Sequence, residues 1–117
     1  MAKEKRFALR VFVNLPAELW GMDDVSLCQV RLVELSPGGC KITLEKQELS
    51  LPQDLKIRFG LEKAIPFNFS AQILWSNKSD GKIYMGMKFK DLTIHDKEKI
   101  RKYIHDLKYI NRDGYTM

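Results

Sequence analysis

A chain of 117 residues with 44% hydrophobic and 30% charged side chains has the balance of one folded domain around one core, not of a disordered segment. No apolar run reaches the ~20 residues that span a bilayer, and "MAKEKRFALR" lacks the long apolar segment of a secretory signal, so a cytoplasmic protein is expected. The net charge of +5 favours an anionic partner, whether nucleotide, nucleic acid or acidic protein surface.

The chain opens on a basic arm, residues 1–10, with few apolar groups, and the composition predicts that it is flexible. Alternation with a period of two then begins. Val11, Val13, Leu15, Ala17 and Leu19 fall on one face of 11–20. Cys28, Val30 and Leu32 alternate with Gln29, Arg31 and Val33 in 27–35. After "SPGG", Cys40, Ile42 and Leu44 alternate with Lys41, Thr43 and Glu45. Leu55, Ile57 and Phe59 follow, then Phe67, Phe69, Ala71, Ile73 and Trp75, and finally Ile83, Met85, Met87 and Phe89. The breaks carry turn residues: Gly21, Asp23 and Asp24; a tight turn over 36–39; Pro52; and Asn77, Asp80 and Gly81. Six successive strands with no helix between them predict an all-β fold, a six-stranded antiparallel barrel.

The period changes at the end. Thr93 and Asp96 have the spacing of a capping box, which starts a helix near 94. Ile100, Tyr103, Ile104, Leu107 and Ile110 then recur at helical spacing, opposite Lys97, Lys99, Arg101, Lys102 and Lys108. That stripe is expected to cover one opening of the barrel; a membrane-surface or partner-binding helix is the alternative. The domain therefore reads as an arm over 1–10, a barrel with its C-terminal helix over 11–110, and a frayed tail over 111–117. Nothing in the chain marks a repeat or a linker to a second domain.

Signs of catalysis are few. His95 and His105 share the helix, about 80° apart around its axis, with no cysteine at metal-ligand spacing. Walker, nucleophile-elbow and dinucleotide motifs are missing, so neither an enzyme nor a metal site is expected. A hairpin at 36–39 places Cys28 opposite position 46 and Cys40 opposite position 34, and both read as reduced, partly buried thiols.

Two stretches have more to offer. Arg6 and Arg10 flank "FAL" just before the first strand, and guanidinium groups both grip phosphate oxygens and stack on flat rings. They could clamp a planar phosphorylated ligand, or simply form a solvated basic terminus. In "ELSPGG", Ser36 offers a hydroxyl and Glu34 a carboxylate that could accept the N–H donors of a guanine edge. Gly38 and Gly39 allow a sharp turn and a close ligand. The plain alternative is a hairpin turn without a ligand.

Together these stretches resemble the PilZ domain family. "RFALR" matches its R-x-x-x-R motif and "ELSPGG" its [D/N]-x-S-x-x-G motif, except at the first position. "VFVNLPAEL" continues as a strand, "YMGMKFKDL" has the G-x-x-F-x-D look, and a terminal helix follows, so the likeness runs from 5 to about 107. It implies a six-stranded barrel with a helix over one end, and a bacterial receptor for the second messenger cyclic di-GMP without catalysis of its own. By the same resemblance, Arg6 and Arg10 would take the phosphates and stack on guanine faces. Glu34 and Ser36 would meet a guanine edge, and Gly39 would keep the floor clear. Lys5, just before the first arginine, bears on whether one ligand or a stacked pair binds. Some members use an aromatic residue on the fifth strand, where Trp75 stands, although its alternation puts Trp75 on the core face.

The departure is Glu34, whose carboxylate stands one methylene, roughly 1.3 Å, further out than that of Asp. Degenerate members of the family act as adaptors through protein contacts without nucleotide; those usually lose the arginines, which this chain keeps. Motility, surface polysaccharide and adhesion are typical family outputs, through a protein partner that the sequence does not identify. A small basic barrel for single-stranded nucleic acid is the remaining alternative. It needs exposed aromatics among lysines, whereas Phe59, Phe67, Phe69 and Phe89 lie on the apolar side.

Overall fold

The computed structural model describes residues 10–45, 50–60 and 67–112, with side chains to residue 106. The expectations placed on arm residues 1–9 (Lys5 and Arg6 among them), on the side chains of Leu107 and Ile110, and on residues 113–117 lie outside these bounds, whereas residues 111 and 112, expected in a frayed tail, continue the helix. Six strands appear in chain order: β1 Val11–Trp20, β2 Ser26–Ser36, β3 Gly39–Glu45, β4 Asp54–Phe59, β5 Phe67–Ser79 and β6 Lys82–Lys90. One helix, α1, spans Ile94–Arg112. The strands close into an antiparallel barrel in the order β1-β2-β3-β6-β5-β4, with β4 returning to β1.

The barrel closes because each strand has an apolar face to hide. Leu19, Leu32, Leu35, Ile42, Leu55 and Ile57 are fully buried side chains of a single cluster. Within it Phe59, Phe67, Phe69 and Phe89 pack ring on ring, with centroids 5.1 to 6.4 Å apart. Each ring removes ~150–250 Å² from water, so this cluster is a large part of the burial that stabilises the fold. It also places these aromatics where no nucleic acid can stack on them.

The helix starts as its capping box requires. The Asp96 N–H donates to the Thr93 hydroxyl at 3.0 Å and the Thr93 N–H donates back to the Asp96 carboxylate at 3.2 Å. Ile100 and Ile104 are completely buried in the barrel's own core cluster, and α1 packs on β1 and β2. The described part of the apolar stripe is therefore a lid on the core.

Some local expectations change. Residues 36–39 are a two-residue connection: Ser36 pairs with Gly39, leaving Pro37 and Gly38 as the turn. Cys40 lies opposite Leu35. The β2–β3 pairing ends at Arg31 and Thr43, so Cys28 faces Leu19 of β1 and not position 46. Asn77 belongs to β5, because the turn is made by Asp80 and Gly81 alone, both at positive φ as in a type I′ hairpin turn.

Candidate functional site

The groove at the start of β1 is built by register. Phe12 pairs with Glu34, Glu34 with Lys41, Lys41 with Gly86, and Gly86 with Trp75. One row thus crosses β1, β2, β3, β6 and β5. Above it the chain forms a depression of about 490 Å³ whose walls include Arg10, Glu34, Ser36, Gly38, Gly39, Lys41, Trp75 and Lys88. The described members of the sequence-derived set (Arg10, Glu34, Ser36, Gly39 and Trp75) all line this one cavity.

Bulges make that possible. Simple alternation from Leu32 would turn the Glu34 carboxylate into the core, where an unpaired charge costs many kcal/mol. A register shift between Leu32 and Glu34 re-aims the strand, so that Leu35 is fully buried and Glu34 faces the groove. The same device corrects the expectation for Trp75. A shift between Ile73 and Trp75 breaks the phase of Phe67, Phe69, Ala71 and Ile73, and the indole lies outside the core, 43% exposed.

Trp75 has somewhere to lie because β6 carries Gly86. A Cβ at position 86 would run into the indole Nε1 and Cε2, so only glycine lets the ring rest across the strand. Beyond it, the Lys41 ammonium stands over the ring, 5.8 Å from its centroid. At the other end the Arg10 guanidinium meets the Glu34 carboxylate at 3.6 Å, with side-chain exposures of 65% and 19%. Glu34 therefore pairs with arginine, and not with its strand neighbour Lys41 or with solvent alone. Such an exposed pair is worth ~0–1 kcal/mol, so a competing anion or donor opens it at little cost.

The turn residues divide their work differently from expectation. The Ser36 hydroxyl donates to the Gly39 carbonyl and accepts the Gly39 N–H, each at 3.2 Å, which closes the hairpin and leaves it acceptor capacity only. Gly38 also ties the turn to the barrel by accepting the Phe89 N–H at 2.9 Å. Neither Gly38 nor Gly39 has positive φ. The absent Cβ of Gly39 points at the Met87 carbonyl and at Lys88 Cα, so glycine is needed there for close strand packing. A Cβ at Gly38 would meet nothing within 4 Å, and it is Gly38 that leaves the groove open.

Sequence reading did not assign Lys41, Lys88 or Gly86 to the site, although Gly86 is the glycine of the G-x-x-F-x-D stretch. Lys41 and Lys88 sit at outward positions in otherwise ordinary strands, and only the closed register reveals what they face. A larger groove of about 570 Å³ lies further along β1, β2 and β3, lined by Glu18, Arg31, Thr43, Glu45, Arg58 and Lys82 among others. It mixes both charges and gathers none of the singled-out residues. Among the described residues no cluster of three His, Cys, Asp or Glu side chains could hold a metal, and both thiols are free.

A family model described as PilZ domain matches residues 3–106. Comparison with curated protein sequences finds no match. Among solved structures, the fold is similar to YcgR from Escherichia coli in complex with c-di-GMP, at 19% identity and a TM-score of 0.77, over 94% of this chain and 49% of that one. It is similar to the Bacillus subtilis inhibitor of motility MotI/DgrA, at 15% identity and a TM-score of 0.75, over 92% of this chain and 53% of the other. The MrkH–c-di-GMP complex of K. pneumonia matches at 15% identity and a TM-score of 0.73, again over 92% and 53%. The chain spans about half the length of each of these relatives.

Proposed function

The chain belongs to the PilZ domain family, and on that footing we propose that its groove is a receptor site for cyclic di-GMP. The observation that carries this reading is the convergence of Arg10, Glu34, Ser36 and Trp75, from three separate stretches of sequence, on one depression of about 490 Å³. The relatives YcgR and MrkH in complex with c-di-GMP lend it support from the same fold.

Each group has work suited to its chemistry. Arg10 lies beside the groove with most of its guanidinium in solvent, ready to grip a phosphate in two places or to stack on a purine. Glu34 offers acceptors to the N–H donors of a guanine edge. Trp75 offers a flat surface, and stacking of a base on an aromatic ring is worth ~1–3 kcal/mol. The arm of residues 1–10, with Arg6 and Lys5, closes over the ligand, and the surface so formed engages a protein partner. The protein acts by binding and not by catalysis, in the cytoplasm.

Calorimetric titration with cyclic di-GMP tests the reading. Saturable binding is expected in the wild type, and Arg10→Ala should cost at least ~2 kcal/mol, about 30-fold in affinity. Wild-type affinity in that variant removes Arg10 from the site. A flat titration of the wild type instead favours an adaptor of the same fold that works through protein contacts alone.

A further inference from the structure

We propose that Lys41 is a second cationic contact for the ligand, on the far side of Glu34 from Arg10, and that Trp75 determines where its ammonium stands. The inference rests on the groove being a cyclic di-GMP site and adds a determinant that neither sequence motif contains.

The row across the barrel alternates in charge. Arg10 reaches Glu34 at 3.6 Å, and the next position along the row, on β3, is Lys41. Adjacent strands stand ~4.8 Å apart, close enough for Lys41 and Glu34 to pair if nothing else held the lysine. They do not pair. Glu34 is taken by Arg10, while the Lys41 ammonium turns the other way and settles over the Trp75 ring. Lys41 is half-buried, lines the groove and has no ion pair among the described residues. Its three N–H donors are thus held by a ring that accepts charge but satisfies no hydrogen bond.

A groove of this kind is complementary to a ligand that presents two phosphates and an N–H edge. Cyclic di-GMP carries two phosphates and guanine edges, so one phosphate can meet Arg10 while Lys41 meets the other. The indole has two roles in turn. In the free protein it keeps the ammonium within the groove, and in the complex its face passes to a base while Lys41 moves to the phosphate. Gly86 is the neighbour that allows the indole to lie between β5 and Lys41 at all.

The test compares the wild type, Lys41→Gln, Lys41→Arg and Lys82→Gln, titrated with cyclic di-GMP at low and moderate salt. Lys82, at the opposite end of β6 and outside this groove, is the control for general charge. Lys41→Gln should bind at least tenfold more weakly and with a flatter salt dependence, because one screened charge contact is gone. Lys41→Arg should return to within threefold of the wild type, and Lys82→Gln should follow the wild type throughout. Thermal melts should agree for all four. Lys41→Gln binding within twofold of the wild type overturns the inference while leaving the receptor reading intact. So does a loss that Arg does not restore and that keeps the full salt dependence, since that marks a packing role. A wild type that binds no cyclic di-GMP removes the receptor reading and this inference with it.

Discussion

Replacing Gly86 with alanine adds one methyl group, and the structure dictates where it goes. The new Cβ enters the space of the Trp75 indole, whose Cζ2 alone would be 2.8 Å away, with Nε1 and Cε2 nearer still. The β6 backbone is fixed by pairing on both sides, to β3 and to β5, so the ring must move. It is already 43% exposed, and can swing outward. If it gives up ~50 Å² of contact, the loss is about 1.3 kcal/mol at ~25 cal/mol per Å². The added alanine returns ~0.4–1 kcal/mol by restricting the unfolded chain. Stability should therefore change by less than about 1 kcal/mol, while binding loses its stacking platform, ~1–3 kcal/mol or about 5- to 150-fold. Chemical denaturation and calorimetric titration with cyclic di-GMP give the two numbers separately. A double-mutant cycle sharpens them: once Trp75→Ala has removed the ring, Gly86→Ala should cost no further affinity. Full wild-type affinity in Gly86→Ala would refute the reasoning, as would a second loss of equal size in the Trp75→Ala background.

Gly39→Ala should destabilise the fold by about 2–3 kcal/mol, the cost of overpacking against backbone that cannot yield, whereas Gly38→Ala, facing open space, should stay within ~0.5 kcal/mol in urea titrations. Glu34→Ala should lose about 1.5–3 kcal/mol of cyclic di-GMP affinity, the range for hydrogen bonds to a charged group, and Glu34→Asp, the family's own residue, should bind at least as tightly as the wild type. Equal affinities in all three proteins would make position 34 a bystander. Burial pushes the thiols of Cys28 and Cys40 up from their ordinary pKa, Cys40 the more strongly, so at mildly alkaline pH iodoacetamide should modify Cys28 slowly and Cys40 only on unfolding. Equal labelling of the two in the native protein would contradict the burial of Cys40.

The strands were legible because burial on one face of a barrel leaves a period of two in the sequence, and every apolar position named from that period except Trp75 is in the core or packed against it. The helix was legible for the same reason, with the Thr93–Asp96 box to mark its start. What alternation cannot show is where the count slips by one. Trp75 reads as a core residue only if β5 is regular through Leu74, and nothing in "AQILWSNK" marks the bulge. The partner that explains it, Gly86, lies eleven positions away on the next strand, and the relation between them is set by the closed register. Gly39 illustrates the converse. A glycine in a turn invites a conformational explanation, but the constraint is a neighbouring backbone that sequence cannot display.

The three slips nearest the groove have one effect. Register shifts fall between Phe12 and Leu15, between Leu32 and Glu34, and between Ile73 and Trp75. Phe12, Glu34 and Trp75 are the groove-side residues of these shifts, and all three belong to the same cross-strand row. In a regular barrel of this sequence, the parity of Leu32 would send Glu34 inward and that of Ile73 would send Trp75 inward. The core would then have to hold a carboxylate and an indole N–H, while Leu35 would be left in water. Both problems are relieved by one extra residue in each strand. The energetic pressure to keep the core apolar is therefore what turns the acceptor and the stacking ring to the outside, and closing the barrel sets them on one line with Lys41 between them. It follows that the groove is a product of core packing, and that the substitutions most harmful to ligand recognition need not touch the ligand. Deleting Val33 or Leu74 checks this. Without the extra residue Glu34 follows Leu32, or Trp75 follows Ile73, in plain alternation, so each stays on the outer face with Leu35 still inward. Urea titration should find the fold retained; an unfolded variant would refute the parity argument.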